Sequence, residues 1–107
     1  MAKYLILASY TAEGTKGLMK EGGTKRRAAV EQLIKGVGGK LETFYFAFGE
    51  FDALVIADMP DGSSGAAVSM AVNATGAVRT KTVVLLTPEE IDAAAKKHVA
   101  YQPPGAR

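Results

Sequence analysis

The chain has no cysteine and no tryptophan, and His98 is its only histidine. Without cysteine there is no disulfide framework, no thiolate zinc ribbon, no iron–sulfur cluster and no thiol nucleophile. A lone histidine with no partner in sequence is a weak basis for a metal or haem ligand. Its place at the end of a helix, where a cation favours the dipole, explains it more plainly. No apolar run reaches the ~18–20 residues of a membrane span. Residues 1–10 imitate a signal peptide only faintly, because the apolar part, residues 5–8, falls short of the ~7–15 that such a segment requires. Charge of one sign is also scarce: thirteen Lys and Arg against eleven Asp and Glu leave +2. So small an excess does not argue for nucleic acid. The aromatics outside the C-terminal tail fall in predicted strands, not on a surface that could stack bases. These absences predict a cytoplasmic protein with no metal, cofactor, nucleic-acid or membrane partner.

What is present fits one globular unit. The 107 residues are 48% hydrophobic and 22% charged, an ordinary composition for a single domain. The domain is expected over residues 1–100, with Pro103, Pro104 and Gly105 marking a mobile tail over 101–107. A first strand is predicted over 4–11. Gly14 and Gly17 mark a loop after it, and Gly22 and Gly23 argue against a helix begun near Thr15. The first helix is expected from Thr24, carrying the apolar stripe Val30, Leu33, Ile34 and Val37, and stopping at Gly38 and Gly39. A second strand follows over 40–48 and a third over 51–59, joined by a type II′ turn at Gly49 and Glu50. Asp61, Ser63 or Ser64 can cap a helix over 65–75 built largely of small residues. After Gly76 comes a fourth strand over 78–86. Thr87, Pro88 and Glu90 then form a capping box opening a short helix to about His98.

The order βαββαβ plus a short C-terminal helix predicts an α+β fold, a ferredoxin-like sandwich with a four-stranded antiparallel sheet. Right-handed crossovers give strand order 4-1-3-2. In the second strand Leu41, Thr43, Tyr45 and Ala47 should share one face, and Phe44, Phe46 and Phe48 the other. In the third, Phe51, Ala53, Val55 and Ala57 oppose Leu54 and Ile56. Both faces of the sheet are therefore largely apolar, yet two helices cover only one. An open apolar face of this size calls for a partner, most simply a second copy through a two-fold axis. A homodimer or higher homo-oligomer is the expectation; the rival is that the terminal helix covers the second face.

The same topology brings the end of the first strand beside the starts of the third and fourth. Tyr10 and Thr11 then approach Asp52, Arg79 and Thr80, with the loop around residues 13–17 at the same rim. Asp52 suits a base or hydrogen-bonding role, Arg79 an anionic group, and Tyr10 or Tyr45 a proton donor or orienting hydroxyl. The plainer alternative is an Asp52–Arg79 ion pair across the first strand, with the hydroxyls satisfying backbone groups. Lys20, Lys25, Arg26 and Arg27 form a small basic cluster near the first helix, ordinarily a solvated surface. The glycine-rich pieces have neither Walker A nor G-x-G-x-x-G spacing.

The run Phe44-Tyr45-Phe46-Ala47-Phe48-Gly49-Glu50-Phe51-Asp52 resembles the signature of the GYD family, named for Gly-Tyr-Asp. Val78-Arg79-Thr80-Lys81-Thr82, Tyr10-Thr11 with Gly14, Arg26, and the Gly38-Gly39-Lys40 turn also match its pattern, so the resemblance covers roughly residues 4–96. One position departs: the motif tyrosine is Phe51, which keeps the ring and removes the phenol hydroxyl. The family is similar to the dimeric α/β-barrel superfamily, in which two ferredoxin-like subunits join their sheets around a cavity. Its relatives include monooxygenases, lactone isomerases, haem proteins and ligand-sensing domains. The resemblance implies fold and dimer; it transfers no reaction, because fold does not imply function.

Three readings stand at this point. The first is a dimeric small-molecule binding or regulatory protein, with a small organic ligand between sheet and partner near Tyr10, Thr11, Tyr45, Asp52, Arg79 and Thr80. The second is a cofactor-free acid–base enzyme, isomerase- or monooxygenase-like, on the same pocket. The third is an assembly module whose rim residues only set the dimer.

Overall fold

The computed structural model describes residues 1–105, so Ala106 and Arg107 of the expected tail lie outside the described residues. The elements are β1 (Ala2–Tyr10), α1 (Ala12–Glu21), α2 (Gly23–Gly36), β2 (Lys40–Phe46), β3 (Ala53–Met59), α3 (Gly62–Ala74), β4 (Val78–Leu85) and α4 (Pro88–Ala95). The strands form one antiparallel sheet in the order β2-β3-β1-β4, the ferredoxin-like order that the topology rules predict.

The largest departure from expectation is α1, a helix where a loop was expected. Thr11 caps it, its hydroxyl accepting from the Gly14 amide at 3.2 Å. Gly14 is there for contact, not for flexibility: a Cβ would lie 2.0 Å from the Ala77 carbonyl oxygen. Gly22, with φ of 89°, separates α1 from α2, so α2 begins at Gly23 with no side-chain cap and not at Thr24. At the other end of α2, Gly38 takes a φ of 82°, and the Gly39 amide reaches the Ile34 carbonyl at 2.9 Å, which stops the helix where the glycine pair was expected to. Asp61 caps α3, and Thr87 and Glu90 complete the capping box of α4.

Two corrections concern β2. The register shifts between Leu41 and Thr43, so Leu41 pairs with Ala57 while Phe44 pairs with Val55. The extra residue reverses the alternation: Leu41 joins Phe44 and Phe46 under the helices, and Thr43 and Tyr45 lie on the opposite face. The turn to β3 is also longer than two residues. Gly49 has no positive φ, which a II′ turn would need, and the loop closes instead by the Ala47 amide donating to the Asp52 carbonyl at 2.8 Å. Asp52 is drawn away from β2 because its own amide donates to the Ala8 carbonyl at 2.8 Å. Phe48 and Phe51 therefore stand outside the strands.

The core lies between the sheet and the helices. Tyr4, Ile34, Leu41, Val55, Ala57, Met59 and Val68 form its centre, and Ala8, Ala53 and Val78 a second group towards the rim. The opposite face carries Leu5 and Leu7 of β1, Leu54 and Ile56 of β3, and Val83 and Leu85 of β4. These share rows in the register, as in Thr43–Ile56–Leu5–Val83. Among the described residues nothing covers them. Every described residue from 86 to 105 is exposed, α4 included, and α4 makes no more than marginal contact with any other element. At the β2 end of this face Lys3 pairs with Glu42 and, at 3.2 Å, with Asp58.

Candidate functional site

The backbone brings the expected rim together. Tyr10 pairs with Val78, Ser9 with Arg79 and Ala8 with Thr80, and the Asp52 carboxylate accepts the Tyr10 amide at 2.8 Å. Alternation then divides the side chains. Tyr10 and Thr80 lie on the helix-covered face, whereas Arg79 and Tyr45 lie on the open face. Arg79 is exposed, Tyr45 is 68% exposed, and no Asp52–Arg79 ion pair forms. Thr11 is occupied structurally, donating its hydroxyl to the Ala77 carbonyl at 3.2 Å while capping α1. Asp52 likewise ties the start of β3 to the end of β1. Phe51, at the motif tyrosine position, holds the Lys81 ammonium 5.8 Å from its ring centre, a cation–π contact that needs no hydroxyl.

On the helix-covered face a slot opens between α2 and α3. α2 packs over β2, and α3 over β3 and β4, which leaves the middle of the sheet thinly roofed. Ile6, Ala8 and Tyr10 of β1 form the floor with Ala53 and Val55. Val30 and Leu33 form one wall, and Val68, Ser69 and Val72 the other. The space it encloses is about 50 Å³, a narrow cleft with room for a few water molecules, which has to widen to take a larger ligand. Small side chains at Ala8, Ala53, Gly65 and Ser69 create the room.

The lining is mostly apolar, and its polar groups matter at two places besides Tyr10 and Thr82. On one side Ser69 and Thr80 share a hydroxyl contact of 3.2 Å, while Asn73 donates to the Thr80 hydroxyl at 2.8 Å and accepts the Thr80 amide at 3.1 Å. Two hydroxyls hold two protons and their mutual contact uses one, so the other is left uncommitted by that contact. The second place is Arg26, half-buried in the first turns of α2. It lines the slot and also both grooves that meet it, one between α2 and α3 and one below α1. Sequence reading placed Arg26 in a solvated basic cluster. The signal that could have found it is its spacing: Arg26, Val30 and Leu33 recur at helical intervals on one side of α2. Among the described residues no group of His, Asp and Glu side chains gathers as a metal site, and no helix is long and apolar enough to cross a membrane.

The family model for the GYD domain matches residues 4–95, and the chain belongs to that family. Neither the curated proteins nor the solved structures contain a match to the chain.

Proposed function

We propose that this member of the GYD family is a homodimeric small-molecule-binding protein, with its ligand in the slot roofed by α2 and α3. The slot carries the reading: it is apolar, partly open to solvent and edged by a few polar groups, the composition of a small-ligand site. The sheet register supports the dimer. Leu5, Leu7, Leu54, Ile56, Val83 and Leu85 form an apolar field on the open face, and α4 does not cover it. Such a field is a docking surface, and a second copy related by a two-fold axis satisfies it symmetrically. Tyr45 and Arg79 then belong to the interface between copies, while Tyr10 and Thr80 belong to the ligand site.

Two measurements test the two halves. Light scattering after size exclusion, across a hundredfold dilution, should return a dimer for the native chain and a folded monomer for Ile56→Asp. A native monomer removes the dimer. Titration of the isotope-labelled protein with neutral 1-octanol should shift the amides of Ala8, Val30 and Val72. Absent shifts, or shifts spread over the open face, remove the slot.

A further inference from the structure

Arg26 and Tyr10 share an unusual property. Both line the slot and the groove below α1, so both stand at the common mouth. Among the described residues the Arg26 guanidinium makes no ion pair and no hydrogen bond, and the Tyr10 hydroxyl has no partner either. Elsewhere the half-buried polar groups of this face are well supplied: Asp52 holds Tyr10's amide, and Asn73 serves Thr80 twice. An arginine beside an apolar wall, half-buried as a residue and with no ion pair of its own, is half of a charge-assisted contact.

We propose that the slot takes a small monocarboxylate with a narrow apolar body, its carboxylate held at the mouth by Arg26 and Tyr10. This rests on the slot being the ligand site. The charge balance selects the head group. Among the described residues Arg26 is the one cation lining the slot, and Glu13 and Glu21 line the adjoining groove. Arg26 can pair with one negative charge, and Glu13 and Glu21 in the adjoining groove oppose any further one, which disfavours a phosphate dianion. The guanidinium fork fits the planar carboxylate with two parallel hydrogen bonds, and the phenol adds a third donor.

The register selects the body. The floor runs from Tyr10 and Val78 through Ala8 and Thr80 to Ile6 and Thr82. That is about 13 Å at ~3.3 Å per residue, the length of an unbranched eight-carbon chain lying along β1 once α2 and α3 part to widen the slot. Val30, Leu33, Val68 and Val72 contact such a chain from above. A hydroxyl or carbonyl partway along it would meet the spare proton of the Ser69–Thr80 pair.

The test is calorimetric titration of the full chain with octanoate and 1-octanol, which share one apolar body and differ in the head. Octanoate should bind at least about tenfold more tightly than octanol, the scale of a charge-assisted contact. Arg26→Gln should weaken octanoate about 10- to 100-fold and leave octanol unchanged. Arg26→Lys should retain part of the preference, and Tyr10→Phe should cost a smaller factor for octanoate only. Equal affinity for the two probes, or an Arg26→Gln protein that still prefers octanoate, overturns the carboxylate assignment while leaving the slot in place. If neither probe binds a protein that melts normally, the slot itself is wrong and the carboxylate falls with it.

Discussion

On the helix-covered face of the sheet Tyr4, Ala8, Ala53, Val55, Ala57 and Met59 are buried. On the open face Leu5, Leu7, Leu54 and Ile56, one residue along the same strands, stay partly exposed. The two sets are about equally apolar, so composition does not separate them. What separates them is the roof. Two crossover helices can lie on one side only, and the helix that could have covered the other side stands away from the body. The helix-covered face still keeps a slot near its centre, where α3 contributes small residues. One face thus has a roof with a gap in it, and the other has no roof at all.

The sharpest way to break that comparison is to truncate one side chain on each face. Met59 is fully buried, and Met59→Ala is expected to lower the unfolding free energy by about 2–5 kcal/mol in urea at any protein concentration. Ile56→Ala should approach that cost only if a second copy covers it, and its midpoint should then move with concentration. A small loss independent of concentration would leave the open face as mere surface.

A smaller effect is expected where α1 meets the rim. Gly14→Ala places a methyl group against the Ala77 carbonyl and should cost about 1–3 kcal/mol by the same urea assay. Unchanged stability would mean that α1 does not dock as closely as described.

The smallest effects compare two helix caps. Asp61 caps α3, which packs on the sheet, whereas Thr87 caps α4, which packs on little. Thr87→Ala should speed amide exchange within α4 without moving the global midpoint; a global loss would show that α4 is packed in solution. The hydrogen bonds that Asp61 accepts from Ser64 hold its carboxyl below its ordinary value of 3.8. A depressed carboxyl contributes stability above its unfolded value and loses it as pH falls through the folded one. Asp61→Asn should therefore flatten a small acid-side loss below about pH 4, read as thermal midpoint against pH.

Much of the fold could be read directly because it rests on local chemistry. The caps at Asp61 and Thr87, the stop at Gly38 and the strand order each follow from nearby residues or from handedness. Two features resisted for a common reason. Gly14 looks like a loop residue until the Ala77 carbonyl, far away in sequence, is seen to require the missing Cβ. The register shift between Leu41 and Thr43 leaves no composition signal, yet it decides which face Leu41 and Tyr45 occupy. The candidate site divides in the same way. Convergence at the rim was legible from topology, because antiparallel neighbours must bring those ends together. The division of Tyr10 and Thr80 from Tyr45 and Arg79 needed the register.

By itself the sequence determined the family, the order of the strands, and the excess of apolar residues over what two helices can cover. These follow from periodicity, turn chemistry and the chirality of the chain, all of them local or universal. Only the tertiary structure decided that α4 leaves the open face bare, that α2 and α3 part over β1, and that Arg26 faces the gap without an acid. Those depend on contacts between residues distant in the chain, whose outcome is set by packing and not by any one segment's preference.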